Sequence, residues 1–273
     1  MIPAAFAYER PTTLEEALDL LGEHGEEAKL LAGGHSLLPL MKLRLAAPGL
    51  IVDLGWLHEL SYVRDRGEEI AIGATTTHHR VEIDALVGAH LGVLAAVAGQ
   101  VGDPQVRHRG TIGGSVAHGD PASDLPATLL ALEASYVLSS RSGERIVPAA
   151  GFHSGFLETA LRPDEILTEI RVRKTTGSRH SFQKFNRRAQ DWAIVGAVVV
   201  QNGSARIALI NMGSVPLRAQ AVEEALAAGT SIREAAALAA SGTEPPSDPT
   251  ASAEYRSHLA QVLVRRGLEE VSS

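Results

Sequence analysis

The chain has 273 residues, is 45% hydrophobic and 21% charged, and its mean hydropathy is close to zero, as in soluble globular proteins with a sizeable core. A net charge of -7 with no run of Lys or Arg argues against nucleic acid, and no apolar stretch nears the roughly 20 residues of a spanning helix. Zero cysteines exclude disulfides, thiolate-held metals, an iron–sulfur cluster and a cysteinyl-flavin bond in this chain.

Thr13-Leu-Glu-Glu16 reads as a capping box followed by apolar residues at helical spacing, which predicts a helix over 13–23. Lys29 to Leu31 predicts a short strand running into Gly33-Gly34, and Leu50 to Leu54 another. Ile70 to Gly73 reads as a strand, with helices over Thr77 to Val87 and Leu91 to Val101. Gly102 to Asp124 holds five glycines, two prolines and two histidines without periodicity, and is expected to be a long loop or a chain of turns. Pro126 then opens a short helix to about Leu132.

Tyr136 to Leu138 and Arg145 to Val147 flank a Ser142-Gly143 turn and predict a hairpin, and Ile166 to Val172 is a further strand. Ile194 to Val200 and Arg206 to Ile210, joined at Asn202-Gly203, predict a second hairpin. Helices follow over 219–228, 232–240 and 251–271. The shift from mixed elements to one small sheet with a helical cover places an expected boundary near residue 175, giving domains 1–175 and 176–273. The N-terminal residues lack a basic start with an apolar run, so the expected location is the cytoplasm.

Two segments carry the chemistry. Gly33-Gly34 and Gly113-Gly114 each have a hydroxyl residue nearby, Ser36 and Thr111. A glycine pair is either a tight turn or a cradle whose N–H groups converge on an anion. Neither has the spacing of a Rossmann fingerprint or a Walker loop. The adjacent His78-His79, with His108 and His118, lack metal-ligand spacing, so no metal site is expected.

The runs LLAGGHSLLPLMKLRLAAPGLIVDL from Leu30 and TIGGSVAHGDPASDLPA from Thr111 resemble the two signature segments of the FAD-binding medium subunits of molybdenum hydroxylases, of the carbon monoxide dehydrogenase medium chain type. ILTEIRV at Ile166 and FQKFNRRAQDWAIVGAVVV at Phe182 match in order, so the resemblance spans nearly the whole chain. It implies an α+β fold: a two-lobed FAD-binding domain of the vanillyl-alcohol-oxidase (PCMH) type, with lobes of about 1–57 and 58–175. A C-terminal domain with a three-stranded antiparallel sheet and helices would follow.

The resemblance also implies non-covalent FAD, held by Lys29, Leu30, Leu31, Ala32, Gly33, Gly34, His35 and Ser36 of the first segment and by Thr111, Ile112, Gly113, Gly114 and Ser115 of the second. Asp124 matches an acceptor for a cofactor hydroxyl, with an N-cap as the alternative. Leu167 matches a backbone contact to the adenine end or is plain core, and Lys184 matches a basic contact near the flavin or is a surface charge. Trp192 stands where relatives carry a tyrosine or an aliphatic residue.

The expected function is electron transfer from [2Fe-2S] clusters of a small partner subunit through FAD to an external acceptor. Substrate would be oxidised at molybdopterin on a large partner subunit, in a dimer of heterotrimers, with no catalytic residue on this chain. The alternatives are a free-standing flavin oxidoreductase related to UDP-N-acetylenolpyruvoylglucosamine reductase, and a scaffold that has lost FAD.

Overall fold

The computed structural model describes residues 2–273. Three sheets follow one another along the chain. The first contains β1 (Ala7–Glu9), β2 (Ala28–Leu31) and β3 (Leu50–Asp53), all parallel in the order β1-β3-β2, with α1 (Leu14–His24) and the short α2 (Leu37–Lys42) in the connections. Thr13 caps α1 by accepting from the Glu16 N–H, but the return bond of the capping box is displaced by one residue: the Glu16 carboxylate accepts from the Thr12 N–H at 2.7 Å. Ala17, Leu18 and Leu21 press α1 against the sheet.

The second sheet, ordered β4-β5-β10-β6-β7, is antiparallel throughout its pairs. Its strands are β4 (Val63–Asp65), β5 (Glu69–Gly73), β6 (Ser135–Ser140), β7 (Gly143–Pro148) and β10 (Ile166–Arg173). Between β5 and β6 lie α3 (His78–Ile83), α4 (Ala85–His90), α5 (Gly92–Ala98), α6 (Pro104–Arg107), α7 (Ile112–His118) and α8 (Asp124–Ala131). The helix expected over 77–87 is two helices, because the Asp84 carboxylate accepts from the Leu86 N–H and starts a new one. The region expected as loop or turns is folded more tightly than its composition indicates, since Asp103 caps α6 and Thr111 caps α7. A small ladder of β8 (His153–Gly155) and β9 (Glu158–Thr159) precedes β10.

The third sheet has the order β11-β12-β13-β14, with β11 (Arg179–Phe185), β12 (Val195–Asn202) and β13 (Ser204–Ile210) as its long strands. These three make the expected antiparallel sheet, and the two-residue β14 (Leu217–Arg218) adds a fourth at the edge. The hairpin turns at Gly203, whose φ of 75° suits the glycine there. α9 (Gln220–Ala227), α10 (Ile232–Ala236) and α11 (Ala253–Ser272) complete the chain.

β12 is apolar at consecutive positions because both its faces are covered. Val198 and Val200 share a core with Leu125, Leu129 and Val97 of the preceding unit, whereas Val195, Ala197 and Val199 pack with Leu263 and Val264 of α11. The third sheet is therefore continuous in packing with the second.

Arg256 of α11 is fully buried, donating to the Ile194 carbonyl and, at 2.5 Å, to the Asp248 carboxylate. Asp248 in turn accepts from the N–H groups of Thr250 and Ala251, so one guanidinium ties the linker before α11 to the sheet. Arg256→Ala would orphan a buried carbonyl and is expected to lower unfolding free energy by about 2–4 kcal/mol, read from urea denaturation.

Candidate cofactor site

β2 and β3 end side by side, Leu31 opposite Asp53, and release the chain into Ala32-Gly33-Gly34-His35-Ser36. Gly34 has a φ of 76°, in the left-handed region that a side chain disfavours. Gly33 is needed for another reason: a Cβ there would lie 2.2 Å from the Arg109 carbonyl oxygen and 2.7 Å from the Gly110 Cα. The two glycine segments, nearly eighty residues apart in the chain, thus touch backbone to backbone. No protein acceptor meets the N–H groups of Gly33, Gly34, His35 and Ser36 among the described residues, so this loop offers consecutive free donors.

The second segment is built differently. Thr111 pairs with Thr77 in an isolated antiparallel bridge, whose bonds run from the His78 N–H to the Gly110 carbonyl and from the Ile112 N–H to the Thr76 carbonyl. The Gly113 N–H goes to the Ala74 carbonyl, the Gly114 N–H to the Thr111 hydroxyl at 3.1 Å and the Ser115 N–H to the Thr111 carbonyl. The amides of Ile112, Gly113, Gly114 and Ser115 are therefore spent within the protein. In a bridge of this type the N–H groups of the paired residues turn away from the ladder, so those of Thr77 and Thr111 face outward. A Cβ on Gly113 would lie 2.5 Å from that of Ala74, so this glycine seats α7 on the end of β5.

Between the two segments lies a cleft of about 190 Å³, lined by Ala32, Leu57, His58, Ser61, Thr75, Thr77, His108, Arg109 and Thr111 among others. Ligand pockets usually span ~300–1,000 Å³, so a cleft of this size has room for only part of a large ligand. Only Ala32 and Thr111 of this wall are among the residues expected from sequence. The Thr75-Thr76-Thr77-His78 run was the available signal, being a cluster of hydroxyl groups at a strand end.

Asp124 and Lys184, expected as separate contacts, are brought together. The Lys184 Nζ lies 2.7 Å from the Asp124 Oδ2, with both side chains only 6% exposed. Lys184 is thus no surface charge. Asp124 is not the N-cap of α8 but its first residue, after Ser123. Its Oδ1 is buried and has no partner among the described residues. Burial pushes the Asp124 pKa up while Lys184 opposes the shift.

Leu167 lies in the core, facing Leu138 where the β6–β10 ladder shifts register before Glu169. Lys29 and His35 are exposed. Trp192, in the turn between β11 and β12, is 55% exposed.

His78 supports both segments from below. Its side chain is buried, its Nε2 is 3.4 Å from the Ser115 hydroxyl, and a Cβ on Gly110 would lie 2.7 Å from its ring. Burial drives its pKa down to about 4, with His35 and Arg107 adding to the effect. Among the described residues no group of three or more His, Asp or Glu could hold a metal ion.

Residues 4–174 match the family model described as the FAD binding domain in molybdopterin dehydrogenase. The chain belongs to this family. Residues 180–271 match the CO dehydrogenase flavoprotein C-terminal domain. The chain is 41% identical to the carbon monoxide dehydrogenase medium chain of Hydrogenophaga pseudoflava, over 98% of this chain and 97% of that one. It is 36% identical to the 6-hydroxypseudooxynicotine dehydrogenase complex subunit alpha of Paenarthrobacter nicotinovorans, over 98% and 95%. Among solved structures, a chain of quinoline 2-oxidoreductase from Pseudomonas putida 86 superimposes with a TM-score of 0.93 at 32% identity, covering 100% of this chain and 99% of that one.

The residues present fit the family's cofactor. Consecutive free N–H groups suit a diphosphate, the outward Thr77 and Thr111 amides extend that donor set, and the orphaned Asp124 Oδ1 suits a hydroxyl donor.

Two outcomes are expected in the absence of any ligand. Gly33→Ala meets an immovable carbonyl and should destabilise the fold by about 1–3 kcal/mol, whereas Gly88→Ala, in α4 with nothing within 4 Å, should be neutral or stabilising; thermal unfolding compares them. An unfolded histidine takes up its proton near pH 6.5, but His78 resists until about 4, so stability falls as pH drops through that window, by up to about 3 kcal/mol. Urea midpoints at both ends of the window should show the loss, and His78→Gln should flatten it.

Proposed function

We propose that the chain is the FAD-binding, electron-transferring subunit of a molybdenum hydroxylase complex, working with a large molybdopterin subunit and a small [2Fe-2S] subunit. The observation that carries the residue assignment is the convergence of the two glycine segments at Gly33 and Arg109-Gly110, with free donors on one side and a hydroxyl-lined wall on the other. Bound FAD supplies the ability to take electrons singly and release them as a pair. The protein's part is to hold and orient it.

In this reading the N–H groups of Gly33 to Ser36 hold the diphosphate, with the Thr111 N–H and the Ser115 hydroxyl on the opposite wall. Lys29 to Ala32 carry the first loop to that position. Ile112, Gly113 and Gly114 act by shape, letting α7 sit close enough for Thr111 to face the cleft. Asp124 accepts from a cofactor hydroxyl through Oδ1 while Lys184 occupies Oδ2, and the backbone at Leu167 borders the adenine end.

We assign residues 1–175 to the FAD-binding domain, with lobes meeting near residue 57, and 176–273 to the C-terminal domain. No helix among the described residues is long and apolar enough to cross a membrane, and the cytoplasm is the proposed location. A dimer of heterotrimers is the proposed assembly.

The purified chain is expected to be yellow and to copurify with both partners when the three are expressed together. Asp124→Asn should weaken FAD binding by about 10-fold or more, the scale of one charge-assisted hydrogen bond. Gly33→Val with Gly113→Val should abolish it. Stoichiometric FAD in that double variant would contradict the loop assignment.

A further inference from the structure

The hydroxyl groups of the second wall share one arrangement. The Thr77 hydroxyl accepts from the Arg80 N–H at 3.2 Å and the Thr111 hydroxyl from the Gly114 N–H at 3.1 Å, each as the cap of its helix. Neither hydroxyl proton has an acceptor among the described residues. A hydroxyl oxygen that accepts one bond from the protein keeps its single proton for a ligand, and an anionic ligand needs that proton. Thr76 is the contrast: it is fully buried, and its proton goes to the Tyr62 carbonyl at 3.0 Å.

Ser115 is the remaining hydroxyl of the proposed diphosphate wall, and no backbone N–H donates to it among the described residues. Its one hydrogen bond there is with His78 Nε2, at 3.4 Å, and the tautomer of the ring decides which partner donates. His78 is only 3% exposed and burial lowers its pKa to about 4, so at neutral pH the ring carries one proton on one nitrogen. Its Nδ1 is buried and meets no partner among the described residues. A proton on Nδ1 would leave a buried donor unsatisfied and would draw the Ser115 proton inward, onto Nε2. A proton on Nε2 leaves a bare lone pair at Nδ1 and lets the ring donate to the Ser115 oxygen. Proteins leave buried N–H donors orphaned less often than buried acceptors, which favours the second form. The ring is also confined. The His78 backbone N–H donates to the Gly110 carbonyl at 2.9 Å, and the Cδ2–Nε2 edge lies 2.7 Å from where a Cβ on Gly110 would be.

We propose that His78 is a positioning residue for the cofactor: its Nε2–H donates to the Ser115 oxygen and so turns the Ser115 proton outward, toward the diphosphate. This rests on the reading of Ser115 as a diphosphate contact. The role goes beyond filling the space beneath Gly110, because a ring of the same size without a proton on Nε2 would leave Ser115 presenting lone pairs to an anion. With a phosphate oxygen bound, imidazole, hydroxyl and phosphate form two bonds in series that polarise each other in the same sense. Ser115 then matches Thr77 and Thr111, with a side-chain N–H in place of their backbone N–H.

The tautomer is read in the full chain without FAD, by proton–nitrogen correlation NMR on isotopically labelled histidine at neutral pH, with the His78→Gln spectrum identifying the signal. Nε2 is expected to carry the proton, and a proton on Nδ1 overturns the proposal. The effect on binding is read by titrating FAD into the deflavinated complex of this chain with both partners. His78→Leu is expected to weaken FAD binding about 5-fold, the scale of one neutral hydrogen bond, and to have no further effect once Ser115→Ala is present. An equal loss in both backgrounds means that His78 acts by packing alone and overturns the positioning role. His78→Gln, whose side-chain amide can donate to Ser115, is expected to restore most of the affinity, and a loss as large as that of His78→Leu also counts against the proposal. A wild-type complex that takes up no FAD refutes the cofactor reading instead, and the tautomer still decides whether His78 donates to Ser115.

Discussion

The close approach of Gly33 to the Arg109-Gly110 peptide is the contact on which the candidate site depends. It joins the C-terminal end of a parallel sheet to a segment hung from an antiparallel one, and it does so through main chain alone. Backbone atoms cannot swing aside as a side chain can, so the spacing between the two walls is set by covalent geometry and by the lack of a Cβ. His78 reinforces this from beneath, where its buried ring fills the space that a residue larger than glycine at 110 would need. A neutral imidazole suits that position, since a charge would be desolvated there.

The C-terminal unit is coupled to the site by two means of different strength. One is nonspecific: β12 is sandwiched between α8 on one side and α11 on the other, so its apolar faces bind the third sheet into the body of the protein. The other is the Lys184–Asp124 pair, which spans the boundary expected near residue 175. A buried ion pair of this kind often adds little net stability, because desolvation offsets the attraction. Its effect on the site is that the lysine occupies Oδ2 and leaves the Asp124 Oδ1 without a protein partner among the described residues.

Regular elements with a local cause were legible in the sequence. The α1 helix, the β12–β13 hairpin at Gly203 and the long α11 helix each follow from a cap, a turn residue or a 3.6-residue stripe. The segment from Gly102 to Asp124 was not, because α6 and α7 are too short to show periodicity and exist through the caps at Asp103 and Thr111. The break at Asp84 was hidden for the opposite reason, since apolar spacing continues across it. At the site, both glycine segments were visible, but their convergence is a tertiary fact. For Gly113 the sequence left a turn and an anion cradle both open, and the structure gives a packing reason, since it clears Ala74 and its N–H is occupied. The pairing of Lys184 with Asp124 and the wall from His58 to Thr77 depend on long-range folding that no local pattern encodes.

The unequal bonding of the two glycine segments has a consequence for how a ligand would be captured. The wall around Thr111 is preorganised, with its hydrogen bonds already made and its shape independent of any visitor. The loop from Gly33 to Ser36 still holds unsatisfied donors, although Gly33 is fixed against the Arg109-Gly110 backbone. Shape is therefore set by the second segment, and the free amides that an anion would meet are set by the first.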